Sequence, residues 1–291
     1  MNATLIKHVL HDTAELLVDG GFEEGLLEAE VLLAEVLGIS RTELFLLRET
    51  TLSTDQTKRL DHLIWRRLNH EPIAYITGHK EFFGIDFIVS RDTLIPRPET
   101  ELLVEKALEL AASRVPTIES IADIGTGCGA IAVALAVHLS AVKVYAIDIS
   151  ASALETATVN ARSHGVAERV DFLRGDLLQP LPEPVDIILA NLPYVSGREM
   201  ETLSEDVRLY EPEMALAGGP EGLDQIDRLL AQAGEKLRSG GAVLLEIGYE
   251  QGPDVADLAK RYFPQAEIEI VSDLSGNDRV VVVDMGVRDQ G

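Results

Sequence analysis

Residues 121–136 read IADIGTGCGAIAVALA. An apolar run ends at Asp123, glycines follow at 125, 127 and 129, and an apolar helical run closes the stretch. That order predicts a strand, a tight turn and a helix. Glycine suits a turn that needs positive φ, and it leaves no Cβ where backbone approaches a ligand. The next expected strand, 142–147, stops at Asp148, about 20 residues past the turn, where an acidic side chain takes ribose hydroxyls. The two features together point to a nucleoside bound at the carboxyl ends of parallel strands.

The rest of the chain fits that frame. Strands are expected at 120–124, 142–147, 170–174, 185–190 and 242–247, and helices at 130–138, 151–164 and 223–237. This alternation specifies an α/β, doubly wound, mostly parallel sheet. Strands at 266–271 and 279–284 flank a Ser-Gly-Asn-Asp turn with no helix between them, which predicts an antiparallel pair at the sheet edge. Residues 1–70 instead show apolar spacing of three and four. Leu5, Val9 and Leu16 mark one helix, and Leu26, Val31, Leu33 and Leu37 a second that Gly38 ends. Ser40 with Glu43 and Ser53 with Gln56 form capping boxes for a third and a fourth. Pro72 is expected to close this small helical domain, residues 1–75. Residues 76–95 then form a connector, with a hairpin expected at 75–89 around Gly78 and Gly84, and 96–291 form the larger domain. Glu99 and Glu101 suit the positive end of a helix at 99–112, with Pro98 in its first turn.

Composition narrows the function. The formal charge is −24, from 49 acidic against 25 basic residues, and it repels a phosphate backbone. The densest basic group, Lys58, Arg59, Arg66 and Arg67, is expected to share its helix with Asp55, Asp61 and Glu71 and reads as a solvated face. No direct nucleic-acid contact is expected. No apolar run is long enough to span a bilayer. His8, His11, Asp12 and Glu15 interrupt the N-terminal apolar positions where a leader would need an unbroken run, so a cytoplasmic location is expected. Cys128 is the only cysteine, which excludes a disulfide framework, and the histidines lack metal-ligand spacing, so no metal is expected.

Each strand end offers a polar group: Asp123 and the glycine turn at the first, Asp148 at the second, Asp176 just past the third, and Asn191-Leu192-Pro193-Tyr194 at the fourth. A hydride-transferring dehydrogenase accounts for the first two and leaves the fourth unexplained. DIGTGCG at 123–129 resembles the cofactor loop of class I S-adenosylmethionine-dependent methyltransferases. Asn191-Leu192-Pro193-Tyr194 resembles the Asn-Pro-Pro-Tyr motif of those that methylate planar amino or amide nitrogens. EPIAYITGHKEFFG at 71–84, LIPRPETE at 94–101, YEPEMALAGGPEGLD at 210–224, EIG at 246–248 and SGNDRVVVV at 275–283 narrow the resemblance to the release factor glutamine methyltransferases, the HemK/PrmC family.

The resemblance implies a Rossmann-like, seven-stranded catalytic domain. It implies methyl transfer from S-adenosyl-L-methionine to the side-chain amide nitrogen of glutamine in the Gly-Gly-Gln motif of bacterial class 1 peptide-chain release factors. Cofactor contacts are implied at Asp123, Gly125, Thr126, Gly127, Cys128 and Gly129, at Asp148 for the ribose, and at Asp176 and Leu177 for the adenine. Asn191, Leu192, Pro193 and Tyr194 form the catalytic set, and Asn191 also borders the cofactor. Leu192 stands where the family usually has proline, so looser pre-organisation of Asn191 is expected. The helical domain resembles the family's partner-docking module, and Trp65, Arg66 and Arg67 are the expected anchors. The alternative is a DNA or RNA amino-methyltransferase acting on an exocyclic base nitrogen. The charge weighs against it. A cofactor-binding regulator would need neither Asn191 nor Tyr194.

Overall fold

The computed structural model describes residues 5–114 and 117–286, and the expected domain limits at 1–4 and 287–291 lie outside them. The chain divides into two compact units, Met1–Gly78 with Ser204–Tyr210, and His79–Leu203 with Glu211–Gly291. No helix among the described residues is long and apolar enough to cross a membrane.

The first unit is built from α1 (Ile6–Asp19), α2 (Gly25–Leu37), α3 (Arg41–Leu46), α4 (Thr54–Leu68) and α5 (Ile73–Thr77) around one apolar core. The stripe that α1 buries is Ile6, Leu10, Ala14 and Leu17, one position on from the expected Leu5, Val9 and Leu16, and Leu16 is exposed. Two adjacent stripes of α1 share the same spacing, and only packing against the other helices chooses between them. Both capping boxes form: Ser40 Oγ accepts from Glu43 N–H at 3.2 Å while the Glu43 carboxylate accepts from Ser40 N–H at 2.8 Å. Ser53 and Gln56 repeat this at 3.2 and 2.8 Å.

Two expectations in this unit are corrected. Residues 73–77 are the helix α5, not the start of a hairpin, because Pro72 occupies its N-cap and Gly78 ends it in the left-handed region at φ 78°. Pro72 therefore opens an element where it was expected to close one. The basic end of α4 is not a solvated face either. Arg66 forks onto the Glu71 carboxylate at 2.7 and 2.8 Å. Arg67 is buried, pairs with Glu28 at 2.8 Å through two bonds, and lies 3.8 Å over the Phe22 ring. Of the three expected anchors only Trp65, 62% exposed, faces outward.

The second unit opens with a hairpin, β1 (His79–Phe82) and β2 (Ile85–Ile88), then α6 (Glu101–Ser113). Glu101 carries structure here, since Oε1 accepts from Phe83 N–H at 2.9 Å. There follow β3 (Ser120–Ile124), α7 (Ala130–His138), β4 (Lys143–Asp148), α8 (Ala151–Ser163), β5 (Val170–Arg174) and β6 (Val185–Ala190). Helix α9 (Glu205–Tyr210) belongs to the first unit, where the Tyr210 hydroxyl donates to Asn69 O at 2.6 Å. The chain closes with α10 (Asp224–Lys236), β7 (Leu237–Glu246), α11 (Gly252–Tyr262), β8 (Glu267–Ser272) and β9 (Asp278–Asp284). The sequence reading passes over α9 and α11. Of α11 only Gly252, Val255 and Ala259 are buried, too sparse a stripe to stand out.

The seven strands run in the order β5-β4-β3-β6-β7-β9-β8, with β7-β9 and β8-β9 antiparallel and the rest parallel. The chain steps from β3 to β4 and β5, then returns to the other side of β3 for β6. That reversal opens a crevice at the carboxyl ends of β3 and β6, where ligands bind in open α/β sheets.

Candidate active site

Strand register, more than sequence spacing, assembles the site. Ile147, Ile124, Ala190 and Leu245 pair across β4, β3, β6 and β7 in one row. The next residue of each strand is Asp148, Gly125, Asn191 and Glu246. Neighbouring strands lie about 4.8 Å apart, so four separate motifs meet at one edge.

The glycine turn is braced from beneath. Asp123 is fully buried, accepts from the Thr126 hydroxyl at 2.6 Å and from Ala132 N–H at 3.1 Å, and so ties the turn to α7. Burial pushes its carboxyl up to about 7. Its other oxygen, Oδ1, has no hydrogen-bond partner. Asp123 does not line the cavity described below; its part there is indirect. Gly129 has φ 85°, and a Cβ on it would lie 3.0 Å from the Ala157 Cβ, so glycine lets α7 start against α8. Asn160 of α8 pins the turn, its Nδ2 donating to Cys128 O at 2.8 Å. Cys128 is buried and its thiol is pushed up to about 12 by burial, which suits a wall residue and no nucleophile.

Above the turn lies a cavity of about 270 Å³. It is lined by Gly125, Thr126, Gly127 and Cys128 of the turn, by Asp148, Ile149 and Ser150 at the end of β4, by Asp176 and Leu177 after β5, and by Asn191, Leu192 and Pro193 after β6. Asp148 accepts from Gly127 N–H and from Ser150 N–H, each at 2.9 Å, one bond to each oxygen. Each oxygen keeps acceptor capacity for a diol. Leu177 is buried with φ 50°, and Asp176 is paired with Arg228 of α10. A carboxylate beside an apolar slot suits a ribose with its base, so the lining fits a nucleoside cofactor.

Asn191 Nδ2 donates to the Thr100 hydroxyl at 3.2 Å. Leu192 is buried in the main core, and its Cδ2 lies 3.3 Å from where a Gly125 Cβ would be. The side chain that replaces the family's usual proline thus wedges the motif against the glycine turn. The Tyr194 carbonyl accepts from Gln251 Nε2 at 3.0 Å. The loop at 216–219 backs the motif, with Val195 N–H donating to Leu216 O at 3.0 Å and Gly218 N–H to Val195 O at 2.9 Å. Tyr194 is outside the cavity wall, and burial together with Glu246 pushes its hydroxyl above the ordinary tyrosine range.

Residues of four further motif segments gather about Glu246, one strand over from Asn191. Glu246 is fully buried, with the charged groups of Arg97, Glu99 and Arg279 and the hydroxyl of Tyr194 near enough to interact with it. Burial, against the favourable Thr100 hydroxyl, pushes its carboxyl up to about 7. Glu211 is also buried and pairs with Arg97. Thr100, Glu246 and Arg228 were missed as site residues by sequence reasoning. Thr100 and Glu246 stand inside quoted motifs, LIPRPETE and EIG, and that was the available signal.

Among known families, the PrmC N-terminal domain profile matches residues 8–78 and the methyltransferase small domain profile residues 99–208. The release factor glutamine methyltransferase of Moorella thermoacetica is 43% identical over 277 residues, 94% of this chain and 96% of that one. That of Bacillus cereus is 35% identical over 96% of this chain and 99% of its own length. Among solved structures, a methyltransferase from Pyrococcus furiosus aligns with TM-score 0.53 at 18% identity over 79% of this chain and all of that one. The hMettl16 catalytic domain aligns with TM-score 0.57 at 15% identity, covering 76% of this chain and 84% of that one. These two share the fold. Identity at this level over nearly the full length, with both domain profiles in place, makes the chain a member of the release factor glutamine methyltransferase family.

Proposed function

We propose that this enzyme transfers the methyl of S-adenosyl-L-methionine to the side-chain amide nitrogen of the glutamine in the Gly-Gly-Gln motif of bacterial class 1 release factors. One observation carries the reading: Asn191 stands beside the glycine turn at the same register, with its amide nitrogen engaged by Thr100 and its oxygen left for a substrate. The cofactor supplies an electrophilic methyl on a sulfonium. Gly125, Gly127 and Cys128 cradle its amino-acid part, Asp148 takes the ribose hydroxyls, and Asp176 and Leu177 hold the adenine.

An amide nitrogen is a poor nucleophile because its lone pair is delocalised into the carbonyl, so positioning must supply the rate. Asn191 Oδ1 and the Leu192 carbonyl each accept one amide hydrogen and aim the nitrogen lone pair at the methyl. Pro193 restricts Leu192 so that its carbonyl stays in place. Tyr194 covers the flat face of the amide once the substrate is seated. Bound there, the cofactor would supply the methyl, its carbon–sulfur bond breaking as the carbon–nitrogen bond forms, and the amide nitrogen would shed one proton to water. A neutral Asn sets this geometry without drawing the sulfonium to itself, as an aspartate would.

The helical residues 1–75 are assigned to docking the folded release factor, with 76–95 as connector and 96–291 as catalytic domain. The net charge of −24 supports a protein acceptor over a nucleic acid. The enzyme is accordingly assigned to the cytoplasm, with release factors as partners. The test is tandem mass spectrometry of a release factor after incubation with labelled cofactor. The label is expected on the Gly-Gly-Gln glutamine, and label on any other residue, or none, overturns the assignment.

A further inference from the structure

A loop that positions a substrate must itself be held, and the segment after β6 has little of its own to hold it. Pro193 carries no N–H to donate. Among the described residues, the Tyr194 carbonyl is the one backbone group of residues 192–194 that is hydrogen-bonded, and its donor is Gln251 Nε2 at 3.0 Å. From Val195 onward the chain is tied to the loop at 216–219. Gln251 is therefore the backbone tether nearest to the groups assigned to the acceptor amide.

The sense of the Gln251 amide is set at its other end. Oε1 accepts from Gly248 N–H at 2.9 Å, which turns Nε2 toward three carbonyl oxygens, those of Tyr194, Gly222 at 3.4 Å and Glu221 at 3.5 Å. The reversed amide would set an oxygen against three acceptors and a donor against a donor. Glycines make the room. A Cβ on Gly222, at φ 76°, would lie 2.2 Å from the Tyr194 carbonyl oxygen and 2.5 Å from Gln251 Nε2, and one on Gly248 would lie 3.1 Å from Oε1. One side chain thus joins the Asn-Leu-Pro-Tyr segment, the 210–224 segment and the 246–248 segment. The sequence reading leaves it unassigned.

We propose that Gln251 is a positioning residue for methyl transfer, holding the Tyr194 backbone and through it the Leu192 carbonyl and the Tyr194 ring at the acceptor amide. The inference rests on the assignment of Asn191 to Tyr194 as the catalytic set. Helix capping does not explain Gln251. It occupies the N-cap of α11, yet its side chain accepts no bond from that helix and reaches back to Gly248 instead.

The experiment measures kcat, KM for whole release factor, calorimetric cofactor affinity and melting temperature for Gln251→Glu, Gln251→Met and Asn191→Ala. Gln251→Glu keeps the shape of the side chain. Its carboxylate still accepts from Gly248 N–H and suits the positive end of α11, but it donates nothing to the Tyr194 carbonyl. Its kcat is expected to fall about 10-fold or more, with melting temperature, KM and cofactor affinity near those of the parent, because a small misplacement of a positioning group costs rate. Gln251→Met, of similar length with neither donor nor acceptor, is expected to show the same loss of kcat even if the charge of Gln251→Glu unfolds the loop. A folded variant with kcat equal to that of the parent, or a loss shared equally by cofactor affinity, overturns the proposal while Asn191→Ala is inactive. An active Asn191→Ala overturns the catalytic set on which it rests.

Discussion

Asp148→Ala removes a carboxylate that holds two backbone N–H groups, Gly127 and Ser150, each at 2.9 Å. The same oxygens are assigned the ribose hydroxyls. A hydrogen bond to a charged acceptor is worth about 1.5 to 3 kcal/mol, so the loss of one such bond weakens cofactor binding about 10- to 150-fold. The N–H groups lose partners at the part-buried turn, at about 0.5 to 1.5 kcal/mol each. At about 2 to 4 °C per kcal/mol for a chain of this size, melting should fall by a few degrees with the fold intact. Calorimetry with S-adenosylmethionine and with S-adenosylhomocysteine measures this directly. The two share the ribose, so both should weaken by the same factor. Unchanged affinity in a folded variant, or a loss confined to the methylated ligand, would refute the ribose assignment.

Gly218→Ala would put a Cβ 2.6 Å from the Pro193 carbonyl oxygen and 2.8 Å from the Tyr194 Cα, so the catalytic loop must shift. Its kcat is expected to fall at least 10-fold while calorimetric cofactor affinity changes little, because a small misplacement of a positioning group costs more in rate than in binding. Asp123 and Glu246 are both pushed up to about 7, from ordinary values of 3.8 and 4.5. Between those limits the unfolded chain has lost protons that the folded chain keeps, so folding stability should fall as pH rises from about 4 to 7, by about 1.4 kcal/mol per unit per group at most. Urea unfolding across that range checks the sign, and Asp123→Asn should flatten the slope.

Where one local signal decides an element, the sequence shows it. The two capping boxes form, and the ends of β3, β5, β6 and α7 lie where apolar periodicity and glycines put them. The choice between neighbouring stripes on α1 is different, because only the core decides it. Residues 73–77 misled the reading because Tyr75, Ile76 and Thr77 are good strand formers, yet Pro72 and Gly78 cap them as a helical turn. Arg66 and Arg67 read as solvated because the helix is expected to run on through Glu71, whereas it ends at Leu68 and Glu71 pairs with Arg66, and because Glu28, the partner of Arg67, lies on another helix. In the site, Gly125, Asp148 and Asn191 are legible as strand ends. Their juxtaposition with Glu246 is a property of register, which no single segment carries. The Thr100 link to Asn191 spans 91 positions and has no local trace.

The central claim is that Asn191, though it borders the cofactor, acts chiefly by holding the acceptor amide in the transition state. Single-turnover methylation of whole release factor by Asn191→Ala, started from enzyme saturated with S-adenosylmethionine, tests it most directly. The rate should fall about 10²- to 10³-fold, far more than any change in the cofactor dissociation constant. A rate equal to that of the parent would contradict the account.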